Sequence, residues 1–103
     1  MNSYNKPNAA PAAVTVNTSS TAAKAISTPL PIRVGYRLTN FGASDIYVQE
    51  VPVGTTAPTV SAVIAAPSFV VAPGQFIEPG AGDDTDIYTG ALTTASATVQ
   101  ELV

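Results

Sequence analysis

The chain predicts an all-β fold: a small jelly-roll-like or other β-sandwich or barrel, preceded by an extended N-terminal arm. Three observations predict it. Short apolar stretches that alternate with polar residues recur at spacings near ten residues. Pro and Gly fall between those stretches (nine Pro and seven Gly in 103 residues). No segment shows the three-to-four-residue apolar spacing of a convincing amphipathic helix.

Residues 1–31 are rich in Ala, Ser, Thr, Asn and Pro. Pro7, Pro11, Pro29 and Pro31 oppose helix, because proline lacks an amide donor and clashes with the preceding turn. Alternation appears briefly at Ala13-Val14-Thr15-Val16. Residues 19–26 have the composition for one or two helical turns, too few to be stable alone. The expectation is an arm that becomes ordered on partner subunits, with Val14, Val16 and Ile26 as its anchors. Deleting residues 1–28 is then expected to leave a folded domain.

Residues 32–103 read as the β domain. Ile32, Val34, Tyr36 and Leu38 alternate with Arg33, Gly35 and Arg37, which defines a strand with one apolar face. Asn40-Phe41-Gly42-Ala43-Ser44 is a turn and residues 45–50 the next strand, so the two are expected to pair as a hairpin. Pro52, Gly54 and Pro58 mark a loop. Residues 60–65 and 68–71 are apolar and strand-prone around Pro67. Pro73-Gly74 is a turn, and residues 75–78 a short strand. Pro79 to Asp84 form a loop, residues 86–89 a strand, 90–95 a loop and 96–103 a final strand. Asp45-Ile46-Tyr47-Val48 is echoed by Asp86-Ile87-Tyr88-Thr89. That echo reads either as equivalent strands in two sheets or as the ordinary preferences of turns and strands.

Composition narrows the chemistry. There is no Cys, His or Trp. Disulfides, zinc–thiolate sites, iron–sulfur clusters and thiol nucleophiles are excluded, along with the commonest general base. The net charge is −3, with Lys6, Lys24, Arg33 and Arg37 as the four cations. Four cations do not make the basic stripe that nucleic acid requires. The acidic residues Glu78, Asp83, Asp84 and Asp86 surround a Gly-rich loop of the kind that offers oxygen ligands to hard cations, but the calcium-loop spacing is missing. A solvated polar loop is the reading adopted. Gly80-Ala81-Gly82 lacks the third glycine, the lysine and the following helix of a phosphate loop. No catalytic residue, cofactor or metal is expected, and the chain is not read as an enzyme. Arg33 and Arg37 share a strand face at i and i+4. One reading gives them solubility and edge protection, the other inter-subunit salt bridges.

The opening residues lack an unbroken apolar stretch, and no run reaches the roughly 18 residues of a membrane span. The expectation is a protein used without export and away from membranes. A domain of about 72 residues buries a modest share of its surface, and without disulfides oligomerisation is its expected support.

The string from Arg37 to Val48 (Arg-Leu-Thr-Asn-Phe-Gly-Ala-Ser-Asp-Ile-Tyr-Val) resembles one in small virion proteins of tailed bacteriophages. The Pro73-Gly74 turn, the acidic Gly-rich loop, Ile87-Tyr88 and the closing strand Val99 to Val103 extend the resemblance over residues 33–103. The Pro-punctuated segment from Val51 to Ala66 departs from it. The resemblance implies a capsid decoration (cement) protein. Such a protein is made in the host cytoplasm and sits on the capsid exterior as a dimer or trimer. Its partner is the major capsid protein, whose neighbouring capsomers it holds together. The alternatives are a neck, tail or fibre component of the same kind of particle, or a cellular adhesive or carbohydrate-binding β-sandwich.

Overall fold

The computed structural model describes residues 11–103. Eight strands and one short helix follow in order: β1 (Ala12–Val14), β2 (Ala23–Lys24), β3 (Gly35–Asn40), β4 (Ile46–Pro52), α1 (Val60–Ala65), β5 (Phe69–Val71), β6 (Phe76–Ile77), β7 (Thr85–Gly90) and β8 (Ala97–Leu102). They form two four-stranded sheets, ordered β1-β8-β3-β6 and β2-β7-β4-β5, and every strand pairing is antiparallel. This order arises when a chain folded back on itself, with β4 against β5 at its tip, is rolled so that β3 meets β6, β2 meets β7 and β1 meets β8. That is jelly-roll connectivity.

The sheets face each other across one apolar layer. Tyr36, Leu38, Val99, Ala97 and Val14 come from the first sheet, and Ile46, Val48, Val71 and Ile87 from the second. Strand alternation places all of these inward. The opposite face of the second sheet carries its own apolar cluster, in which Val60 and Val63 of α1 pack with Ala22 and Tyr88.

Three local expectations are corrected and one open alternative is decided. The strands at 32–39 and 45–50 do not form a hairpin: β3 lies in one sheet and β4 in the other. Asn40 makes the crossing possible. It is fully buried, donates Nδ2 to the carbonyls of Ser44 (2.7 Å) and Val71 (2.9 Å), and accepts from the Gly42 amide at 2.9 Å. Each side-chain polar group is thereby satisfied while the chain arches between layers.

Residues 60–65 form α1 instead of a strand. Thr59 caps it by accepting from the Ala62 amide at 3.1 Å, and Val60 and Val63, one turn apart, are its buried residues. Residues 19–26 form no helical turn. Thr21 bridges Thr59, and Ala23–Lys24 becomes β2. The two Ile-Tyr strands are not counterparts in separate sheets, because β4 and β7 are direct neighbours in one sheet, with Gln49 opposite Tyr88.

The boundary drawn at residue 31 also fails to follow the fold for the described part of the arm. Residues 11–31 supply an edge strand to each sheet, and Val14, Ala22 and Ile26 are buried in the chain's own cores. Residues 1–10 of the expected arm lie outside the described residues. Among the described residues, no helix is long and apolar enough to cross a membrane.

Candidate functional site

The two faces of the sandwich differ. The outer side of the second sheet is covered by α1, which packs so closely that a Cβ at Gly90 would stand 3.1 Å from the Val60 side chain. Among the described residues, no helix covers the outer side of the first sheet. The register there places Ala13, Thr98, Thr39 and Phe76 in one row across β1, β8, β3 and β6. Leu38 and Ile77, the adjacent pair, turn inward to the core. Thr39 and Phe76 therefore turn outward.

Phe76 is 56% exposed and Phe41, one step beyond the inward-facing Asn40, is 66% exposed. The Arg37 guanidinium lies over the Phe76 ring, 5.6 Å from its centroid. It also forks onto Glu78, with Nη2 at 2.6 Å and Nε at 2.8 Å from the same carboxylate oxygen. This face thus offers the exposed Phe76 ring beside the Arg37–Glu78 ion pair and the Thr39 and Thr98 hydroxyls, with Phe41 exposed just beyond the end of β3.

Arg33 takes a different place from Arg37. It precedes β3, and its side chain is enclosed by the loop between β6 and β7. It donates Nε to the Ala81 carbonyl at 3.1 Å and Nη2 to the carbonyls of Gly82 and Thr85. Its Nη1 lies 3.7 Å from Glu101, whose carboxylate also accepts from the Leu30 amide at 2.8 Å. The Gly80–Gly82 segment therefore presents carbonyl oxygens to a cation, the reverse of the amide cradle that a phosphate needs.

Tyr36 stands beside this cluster. It donates its hydroxyl across the layer to Glu50 at 2.7 Å, which joins the two sheets. Burial first, and then the Glu50 hydrogen bond and charge, push the phenol far above its ordinary range, with Arg33 opposing. Tyr36 is a neutral donor at any ordinary pH.

The structure separates the residues expected to bind partners. Val14 and Ile26 are buried in the core and Val16 packs against it. Arg33 is buried, and Arg37 is paired within the chain. The acidic residues also diverge: Glu78 pairs with Arg37, Asp86 with Lys24 at 3.6 Å, and Asp84 accepts from the Thr85 hydroxyl. Among the described residues no three acidic side chains group closely enough to hold a metal ion. An open depression of about 280 Å³ lies between the end of β4 and the start of β7, lined by Glu50, Val51, Pro52, Asp84 and Thr85. Sequence reasoning missed Phe41 and Phe76. Phe76 was placed on a short strand, but only its pairing to Thr39 shows which way it faces.

The fold and this surface define a class: a small jelly-roll β-sandwich in which, among the described residues, one sheet face is covered by a helix and the other is not. Comparison with known protein families, with curated proteins and with solved structures finds no match to the chain.

Proposed function

We propose that this protein is a capsid decoration protein that docks on an outer protein shell through the uncovered face of the β1-β8-β3-β6 sheet. The observation that carries the reading is the exposed Phe76 ring under Arg37, itself paired with Glu78, on that face, with a second exposed ring, Phe41, just beyond the end of β3. Aromatic residues and arginine are the side chains that anchor protein interfaces. The resemblance of residues 33–103 to small phage virion proteins supplies the kind of partner, and the jelly roll is an architecture that viral shells use repeatedly.

The action is mechanical. Each docked copy removes apolar surface from water at about 25 cal/mol per Å², less the cost of immobilising the partners. Repeated around a closed shell, such contacts must break together before the shell ruptures. The test is a sedimentation assay with empty shells and a Phe41→Ser/Phe76→Ser variant. Both rings are exposed, so the variant retains its fold and thermal midpoint. Its shell affinity falls at least about 100-fold, the loss expected for two anchors at about 1.4 kcal/mol or more each. Undiminished binding by a folded variant removes this face from the proposal.

A further inference from the structure

We infer that residues 11–31 form an exchangeable strap, and that two copies of this chain build a dimer by swapping it. The strap makes its contacts on the rest of the molecule. It crosses from one sheet to the other, pairing three residues with β8 and two with β7. Between them the Asn17 carbonyl accepts from Ala91, and the Ser20 carbonyl from Val60 at the start of α1. It also fills both apolar clusters, through Val14 and Ile26 on one side of the second sheet and Ala22 on the other.

A molecule with its strap displaced exposes the free edges of β7 and β8 and both clusters. The partner certain to match that surface in length, pattern and register is the same strap from another copy.

The hinge is short and well defined. One turn joins strap to body, with the Arg33 amide donating to the Leu30 carbonyl at 3.1 Å and Pro31 at its second position. Pro29 and Pro31 hold the residues before them, Thr28 and Leu30, extended. Opening at the hinge therefore requires rotation at Pro31 and Ile32 and the loss of this turn hydrogen bond and of the one from the Leu30 amide to Glu101. The neighbouring apolar residues Ile32 (72% exposed) and Val34 (46%) lie uncovered at this hinge. In a swapped dimer the two hinges run beside each other, and these residues acquire a partner. The Glu101 carboxylate, through the Leu30 amide and Arg33, is the latch that holds the closed form. The inference holds whether or not the chain docks on a shell.

The absence of cysteine allows a direct test. Ala13 and Thr98 are opposite one another in the β1–β8 ladder, at a separation that a disulfide spans. One full-length chain carries Ala13→Cys and another Thr98→Cys. They are refolded together at high concentration, fractionated by size and oxidised. A dimer fraction whose two chains are joined between positions 13 and 98 is the expected result, with Glu101→Gln speeding its appearance from mixed folded monomers about tenfold. Monomer alone with no inter-chain disulfide overturns the inference. So does a dimer that fails to cross-link while the doubly substituted single chain closes its own disulfide.

Discussion

Arg33 has no route to water: its side chain is fully enclosed, Nε and Nη2 donate to three backbone carbonyls, and Nη1 has no hydrogen-bond partner and faces the Glu101 carboxylate at 3.7 Å as an ion pair only. Replacing it with alanine removes a donor from the Ala81, Gly82 and Thr85 carbonyls and leaves Glu101 without its counter-charge, so Arg33→Ala is expected to cost about 3–5 kcal/mol in urea unfolding. Arg33→Lys keeps the charge and loses the fork, and should fall between the two. Tyr36 makes a second prediction. Its folded pKa lies above its unfolded one, so the unfolded chain releases its proton first as pH rises. The contribution is intact below about pH 10 and is lost above it, at up to roughly 1.4 kcal/mol per pH unit. Tyr36→Phe should lose about 1.5–3 kcal/mol at neutral pH, since Glu50 forfeits its donor. It should also show a shallower decline above pH 10 than the parent. Unfolding curves at pH 7 and above pH 10 check both. Neither role was legible in the sequence. Alternation put Arg33 on the face opposite Tyr36, but Arg33 precedes the strand, where alternation no longer applies.

From β3 onward the strands, α1 apart, were legible because period-two patterning reports which faces are buried. Which strand pairs with which was not, for the same reason. Tyr36, Leu38, Ile46 and Val48 would alternate identically in a hairpin and in an arch between sheets. The helix α1 was hidden by its composition: Val60, Val63 and Ile64 favour strands, and six residues are too few to display a helical period. Only the Thr59 cap and the flanking Pro58 and Pro67 mark its ends. The short edge strands carry a consequence for the segment before residue 29. Val14 and Ile26 contribute roughly 1.5–3 kcal/mol each by burial, against a total of about 5–15 kcal/mol for a typical domain. Deleting residues 1–28 should therefore leave a chain that is largely unfolded by circular dichroism, in place of the intact domain expected from composition. A cooperative thermal transition in the truncated chain at the full-length midpoint would contradict the assignment of residues 11–26 to the core.

At the scale of the whole molecule, the buried polar groups described above tie loops and sheets together. Arg33 fastens the β6–β7 loop, Tyr36 and Glu50 bridge the layers, and Asn40 anchors the arch. Among the described residues, the helix-covered and uncovered sheet faces give the sandwich two unlike sides, and the uncovered side bears the exposed Phe76 ring. The open face as a candidate site was legible only in part. Arg37 was singled out as an interface residue, yet its pairing with Glu78 and its place over Phe76 depend on β6 returning beside β3, a contact between distant parts of the chain.

The central claim, that this protein decorates a shell, is a claim about copy number. The direct measurement is quantitative mass spectrometry of sedimented particles from the source lysate, counting this chain per major shell subunit. A ratio near one, or a simple fraction such as one third or two thirds, is the result the proposal predicts. About a dozen copies or fewer per particle would place the chain at a neck, vertex or tail and contradict decoration, and absence from particles would remove the virion reading altogether.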